Sequence, residues 1–269
     1  RRLIREYPLD KENPEFQLKI VEAYANKNDK ENTTIEIINM VEYAKPASES
    51  AWVKANQEKE VDAVQEAWDN AERMLIKTVV EYHKEAIKIN NELTWDKTQR
   101  LYETYLKYFQ KSPKHYDVSF NYAELLYKRD RVKEAGEQYT KVAEMNPKGS
   151  HFEEASYSAI LCYEKLVHKE ISDWVDDTKK RSTRKDKNYK LTAADTEKEK
   201  EKESAEKEVF VKRAMSENVA GFVKACNLYI DNIPDSKYKV DIIYKVAIIY
   251  YSHNDFSNAV NRFELIVRD

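Results

Sequence analysis

Histidine and glycine are the residues from which many metal sites and phosphate sites are built, and this sequence uses both sparsely. None of its histidines falls in an H-E-x-x-H pattern, which would place two zinc ligands on one helix face. Its three glycines are too far apart to form a phosphate-binding loop or a nucleophile elbow. The sequence therefore predicts no catalytic residue, no metal site and no cofactor.

The composition favours a helical protein with a sizeable core. Hydrophobic residues make up 41% of the 269 residues and aromatic residues 12%, whereas glycine occurs three times. Sheets and phosphate loops need glycine wherever φ is positive, so this scarcity indicates an all-α fold. The formal net charge of −3 gives no overall signal for nucleic acid. No run approaches the roughly 20 apolar residues of a membrane span.

A residue pattern recurs with a period of 34 residues. It consists of a small or apolar residue followed four positions later by an aromatic residue, and the period marks the second helix of a two-helix repeat. The small residue lets the two helices of a unit approach, and the aromatic ring fills the space toward the next unit. Leu101 and Tyr105 recur 34 residues later as Ala135 and Tyr139, and Ala225 and Tyr229 recur 34 residues later as Ala259 and Phe263.

These residues resemble the tetratricopeptide repeat. The resemblance implies a right-handed superhelical array of antiparallel helical hairpins, a tetratricopeptide solenoid. The stretch "IPDSKYKVDIIYKVAIIYYSHNDFSNAVNRFELIV" resembles repeats of bacterial envelope proteins, and "LYETYLKYFQKSPKHYDVSFNYAELLYK" resembles repeats of gliding-motility proteins of delta-proteobacteria. Both resemblances imply the bacterial cell envelope, on its periplasmic side, with the cytoplasm as the alternative.

Other parts of the chain depart from this pattern. Residues 1–91 are predicted to be degenerate helical repeats that include a long helix, because apolar residues continue there at helical spacing. Residues 92–175 and 209–269 are predicted to be tetratricopeptide-like repeats. Between them, residues 176–208 form a densely charged insertion, predicted to be loop and helix and partly disordered.

The insertion has two interpretations. It is either a solvated segment without a function or a docking element for an acidic partner or a membrane surface. Base stacking normally needs aromatic residues between the cations, and the basic run contains only Tyr189, so nucleic acid is not the expected partner. The candidate contact residues are Lys179, Lys180, Arg181, Arg184 and Lys185.

In a solenoid of this kind the first helix of each unit lines the concave face. The resemblance places eight partner-binding residues there: Asp117, Phe120, Glu124, Tyr127, Ser156, Tyr163, Tyr244 and Tyr251. Tyrosines give a large contact area at low entropic cost, although they also fill gaps between repeats. In the chaperone-binding subfamily of these repeats, Lys and Asn at the corresponding positions bind a terminal carboxylate. This chain has Phe120 and Glu124 at those positions. A peptide with apolar and basic side chains therefore fits better than an acidic tail.

The sequence thus predicts a non-enzymatic scaffold that binds a partner protein or peptide through this groove, in a bacterial motility or envelope complex. Two alternatives come from other functional classes. Because the chain begins at Arg1, it is expected to be a piece of a longer protein, and it would then be an accessory helical-repeat domain of a larger enzyme. The other alternative is a purely architectural, self-associating spacer.

The repeat pattern leads to a prediction about stability. Ala135→Leu and Ala259→Leu each add three carbon atoms where two helices must approach, so each should lower the free energy of unfolding by about 1–3 kcal/mol. Urea denaturation followed by circular dichroism measures this change. Unchanged unfolding in both variants would contradict the 34-residue register.

Overall fold

The computed structural model describes residues 1–46, 49–168 and 211–268. Within these ranges all regular structure is helical, in twelve helices and no strand, so the predicted all-α class is confirmed. The chain divides into two compact units, unit 1 (Arg1–Asp130) and unit 2 (Arg131–Asp269). Their border falls inside the segment 92–175 of the sequence-based division, which itself stays a prediction.

Unit 1 is built around a helix pair, α2 and α3, packed on a longer pair, α5 and α6. α3 contacts both α5 and α6, and α6 also contacts α7. α5 covers 29 residues, in the segment where the apolar spacing predicts a long helix. The helices are α1 (Arg2–Glu6), α2 (Asn13–Asn26), α3 (Lys30–Ala44), α4 (Ala51–Asn56), α5 (Val61–Ile89), α6 (Glu92–Tyr108) and α7 (His115–Lys128).

The core of unit 1 lies where α3, α5 and α6 meet. Ile37, Leu75, Leu101 and Tyr105 are all inaccessible to solvent there. Ala71 is equally buried and has no side chain beyond its Cβ, which lets α5 lie close to its neighbours. Leu101 and Tyr105, one pair of the 34-residue pattern, therefore lie in the core of unit 1.

Unit 2 contains the other helices that the structure describes. α10 contacts both α8 and α11, and α11 pairs with α12. A salt bridge of 2.7 Å between Glu164 and Lys245 joins α9 to α11. The small residues Ala135, Ala225 and Ala259 are buried. The helices are α8 (Val132–Met145), α9 (152–168), α10 (Glu217–Asn232), α11 (Lys239–Ser252) and α12 (Phe256–Arg268).

Three-residue connections recur along the chain. They separate α2 from α3, α7 from α8, and α11 from α12. The middle residue of each, Asn28, Asp130 or Asn254, has a positive φ of 55°, 56° or 59°. Asn and Asp adopt this left-handed conformation more readily than other non-glycine residues, because their short polar side chains can form local hydrogen bonds. Asn and Asp thus provide the left-handed conformation in these turns that glycine often provides in other proteins. This chain contains only three glycines.

Six-residue connections with one hydrogen-bond pattern form a second recurrent type, at 7–12, 109–114, 146–151 and 233–238. In each, the amide of the fourth residue donates to the carbonyl of the first, at 3.1, 3.1, 2.9 and 3.4 Å respectively. The first residue of the following helix then donates to the carbonyl of the fourth residue, at 3.2, 3.0, 3.1 and 3.1 Å. The same local hydrogen-bond pattern therefore begins α2, α7, α9 and α11.

A titratable group lies against the core of unit 1. The Nδ1 atom of His83 lies 2.9 Å from the Tyr102 hydroxyl, and the imidazole ring meets Tyr102 and Trp95 edge-on. Its Nε2 atom is buried and has no hydrogen-bond partner among the described residues. Burial lowers the pKa of His83, against the weaker opposing effect of the Glu124 carboxylate. The folded protein thus favours the neutral imidazole.

A lowered histidine pKa means that the unfolded chain binds the proton first. As the pH falls below about 6.5, the unfolded state gains protons that native His83 still excludes, so the free energy of unfolding decreases. Above that pH this contribution to stability is fully present. Urea denaturation at pH 7.5 and pH 5.5 should show the decrease, and His83→Gln should make it smaller. Because burial also lowers the pKa of His115, His115→Gln is the matched second variant.

Candidate functional site

Four of the predicted partner-binding residues lie on α7 in unit 1. Asp117 is exposed, and Tyr127 retains 44% of its accessible surface. Phe120 is buried and Glu124 is partly buried. Of these four positions, Asp117 and Tyr127 therefore offer the most surface to a partner.

The other four predicted residues lie in unit 2, with mixed exposure. Ser156 and Tyr163 on α9 are buried. On α11, Tyr244 is 44% exposed, and Tyr251 is partly buried with its ring edge-on to Phe256 at 5.5 Å. The three tyrosines that share one repeat position, Tyr127, Tyr163 and Tyr251, therefore differ in accessibility. Their assignment to one binding groove stays a prediction.

The buried Tyr163 ring packs against the glycines of two neighbouring helices. A Cβ atom at Gly221 on α10 would lie 2.5 Å from the Cε1 atom of Tyr163, which is closer than any normal contact. A Cβ atom at Gly136 on α8 would lie 3.3 Å from Cε2, on the other edge of the ring. The ring therefore occupies the space that two mid-helix glycines leave open.

A cleft of about 360 Å³ lies above Tyr163, between α8 and α10. Salt bridges of 2.7 Å join the two helices at its rim, between Lys133 and Glu217 and between Glu144 and Lys224. The three carboxylates that line this cleft, Glu137, Glu144 and Glu217, thus each lie within 4.0 Å of a lysine. We call it the Tyr163 cleft, and its geometry serves the packing of α8, α9 and α10.

Unit 1 has a cleft of different character between α5 and the end of α6, with a volume of about 490 Å³. Its floor contains Trp68, partly buried, whose ring stacks on Phe109 with centroids 4.2 Å apart. We call it the aromatic cleft. It is lined by Pro46, Gln65, Trp68, Asp69, Glu72, Lys107, Tyr108, Phe109, Gln110, Lys111 and Ser112.

One helix face supplies a whole wall of the aromatic cleft. Gln65, Trp68, Asp69 and Glu72 follow the spacing i, i+3, i+4, i+7, which places them together on α5. The Gln65 amide donates to Asp69 at 2.9 Å. Neither Asp69 nor Glu72 forms a salt bridge with any residue that the structure describes. This wall therefore presents two carboxylates without a cationic partner beside an aromatic ring.

Glu72 also fixes the shape of the aromatic cleft. Its Oε1 atom accepts hydrogen bonds from the Tyr105 hydroxyl at 2.8 Å and from the Ser112 hydroxyl at 2.5 Å. Ser112 belongs to the six-residue connection 109–114, so the carboxylate holds this connection against α5. On the opposite wall, the Lys107 ammonium lies 2.8 Å from the Tyr108 hydroxyl and 4.5 Å from the centre of that ring.

Sequence reasoning did not identify the aromatic cleft. In the sequence, Trp68 is one of the apolar residues at helical spacing that predict the long helix. One signal was present: Trp68 lies where the apolar face of α5 meets a polar face that contains Asp69 and Glu72. Residues 107–112 form the opposite wall. No local sequence pattern predicts that they lie beside α5, because the two segments meet only after α5 and α6 have packed together.

Several expectations concern sites other than these clefts. Across the described ranges, no group of three His, Cys, Asp or Glu side chains is arranged to hold a metal ion. None of the helices in these ranges has both the length and the apolar composition that crossing a membrane requires. The insertion contacts Lys179, Lys180, Arg181, Arg184 and Lys185 lie outside the described residues.

Comparison with known proteins finds no family model that matches this sequence and no match among curated protein sequences.

The packing of Tyr163 leads to a prediction. Gly221→Ala should lower the free energy of unfolding by about 1–3 kcal/mol, because the added methyl group overlaps the ring and outweighs the gain in helix propensity. Gly136→Ala, with its longer contacts, should cost less. Urea denaturation of both variants measures the difference.

A double-mutant cycle tests the cause. In a Tyr163→Val background the ring is absent, so Gly221→Ala should cost much less than in the parent protein. An equal cost in both backgrounds would mean that the alanine clashes with something other than Tyr163.

Proposed function

We propose that this chain is a helical-repeat scaffold of the tetratricopeptide type that binds a partner protein or peptide. The observation that supports the proposal most directly is the recurrence of two connection types with constant length and local geometry. Three-residue turns with a left-handed middle residue recur at 27–29, 129–131 and 253–255. Six-residue connections with one hydrogen-bond pattern recur at 7–12, 109–114, 146–151 and 233–238.

Repetition of this kind suits a binding role because stacked helix pairs give extended surfaces rather than an enclosed pocket. The partner contacts that we propose on α7 and α11 centre on Tyr127 and Tyr244, each 44% exposed. An exposed tyrosine combines an apolar ring with a hydroxyl group and loses little entropy when bound. The proposed role is non-catalytic, in keeping with the absence of catalytic motifs from the sequence. The resemblance to envelope repeats makes the periplasmic side of a bacterial envelope the proposed compartment.

A second candidate function has its own observation. Tyr163 is buried between helices, and Tyr251 is partly buried against Phe256. Tyrosines that fill gaps between repeats are what a purely architectural spacer would have. The two candidates differ in whether Tyr127 and Tyr244 contact a different protein.

Site-specific photocrosslinking distinguishes the two candidates. The photoreactive residue p-benzoylphenylalanine would replace Tyr127 or Tyr244, and an extract of the source cells would be irradiated with each variant. We expect one partner protein to be crosslinked from both positions. Tyr7 is the matched control, since it is a tyrosine with 62% exposure that lies on neither α7 nor α11, and it should give no such adduct. Adducts only between copies of this chain, or none, would favour the spacer.

A further inference from the structure

The aromatic cleft of unit 1 combines three features that suit a ligand. A partly exposed indole lies at its floor, two carboxylates without cationic partners among the described residues lie beside that indole, and the walls are held by hydrogen bonds. The Tyr163 cleft differs, because its carboxylates each have a lysine partner. Asp69 and Glu72 have no cationic partner among the described residues, so these two carboxylates remain available to a ligand.

We propose that the aromatic cleft receives an arginine side chain of the partner, with the guanidinium group stacked over Trp68 and hydrogen-bonded to Asp69 and Glu72. This inference rests on the proposed function, since it names the chemistry by which a bound protein is recognised. A planar cation is attracted to the negative face of an indole, and tryptophan is the strongest aromatic partner for it. Carboxylates next to that ring satisfy the donors at the edge of the same guanidinium group.

The positions of the α5 residues suit this arrangement. Phe109 covers part of the Trp68 ring, at a centroid distance of 4.2 Å, and the remainder of the indole lines the cleft. Asp69 follows Trp68 directly in sequence, and Glu72 lies one helical turn further on. The Oε1 atom of Glu72 already accepts from Tyr105 and Ser112, while no described residue donates to its Oε2 atom. The carboxylate is therefore held in place with one oxygen open to a donor.

The charges of the opposite wall determine how a bound cation is oriented in the cleft. Lys107 and Lys111 line it, and the Lys107 ammonium is turned to the hydroxyl and ring of Tyr108. The cleft is thus acidic on the α5 side and basic on the α6 side. A cationic group is attracted to Asp69 and Glu72 and repelled from the lysines. Arginine fits better than lysine, because its flat guanidinium group both stacks on an indole and forms paired hydrogen bonds with carboxylates.

Fluorine NMR can observe this binding at Trp68 itself. The whole chain would be labelled with 5-fluorotryptophan at its four tryptophans, and the Trp68 signal assigned by its loss in Trp68→Phe. The probe is N-acetyl-arginine-N-methylamide, titrated at pH 7 in 150 mM NaCl. The neutral control is the citrulline analogue, which has nearly the same shape without the charge. We expect a saturable shift of the Trp68 signal with arginine and binding at least about tenfold weaker with citrulline.

Charge variants then test the role of the carboxylates. Asp69→Asn with Glu72→Gln removes both charges and leaves an oxygen at position 72 that can still accept from Tyr105 and Ser112. This variant should bind the arginine probe at least about tenfold more weakly. Glu66→Gln is the matched control: it removes one charge from the same helix but lines a different cleft, with Glu12, and should leave affinity within about twofold. Thermal unfolding of each variant verifies that it is folded.

Three results would overturn the proposal: no saturable shift at Trp68, equal binding of the citrulline analogue, or unchanged affinity in the double charge variant. A shift with N-acetyl-tyrosine-N-methylamide and none with the arginine probe would instead assign the cleft to an aromatic side chain. The proposed scaffold function is judged separately by photocrosslinking. A partner crosslinked at Tyr127 and Tyr244, together with no arginine binding, would reject this cleft assignment alone.

Discussion

A pair of helices leaves one apolar face that neither member can cover, and the arrangement of both units answers this constraint. In unit 1 the face shared by α5 and α6 is covered by α3, which makes Leu75, Leu101 and Tyr105 inaccessible to water. Burying a side chain of this size stabilises the fold by about 1.5–3 kcal/mol relative to leaving it exposed. The connections help to cover this face, since their length and geometry set the direction in which the next helix packs. A chain that reuses three- and six-residue connections meets that need with the same local structure several times.

Close packing in unit 2 depends on residues that helices normally avoid. Glycine within a helix costs about 1 kcal/mol relative to alanine, yet Gly136 and Gly221 both lie inside helices. Their missing side chains make room for the Tyr163 ring, which is almost fully buried between α8 and α10. The burial of a large aromatic ring offsets the lost helix propensity. The positions of these two glycines thus allow Tyr163 of α9 to pack between α8 and α10.

The packing of aromatic rings also decides which of them stay accessible for the partner binding that we propose. Tyr102, Tyr105, Tyr139 and Tyr229 are used in packing and are almost fully buried. Trp68, Tyr127 and Tyr244 keep part of their surface in contact with solvent. Beside Trp68, the Glu72 carboxylate supplies a negative charge. One of its oxygens accepts hydrogen bonds from Ser112 and Tyr105, which holds the walls of the cleft in place. A cleft whose walls are fixed before binding loses less entropy when a ligand enters, which favours recognition of a single side chain.

The sequence by itself determined the features that depend on neighbours along the chain. Scarce glycine and apolar residues at helical spacing indicated an all-α protein, and the same spacing indicated the long helix α5, because a helix face is set by residues three and four positions apart. The small and aromatic pairs, such as Leu101 with Tyr105, were expected to be in the core for the same reason.

Tertiary structure alone decided which of those faces is covered. The predicted register gives Tyr127 and Tyr163 the same repeat position, yet Tyr163 is buried by α8 and α10 while Tyr127 stays exposed. Periodicity reports that residues share a face but carries no information about what packs on that face. The aromatic cleft shows the same limit, since it joins residues 65–72 of α5 to residues 107–112. These segments meet only because α5 and α6 pack side by side, and that contact is made by the folded chain rather than by any local pattern.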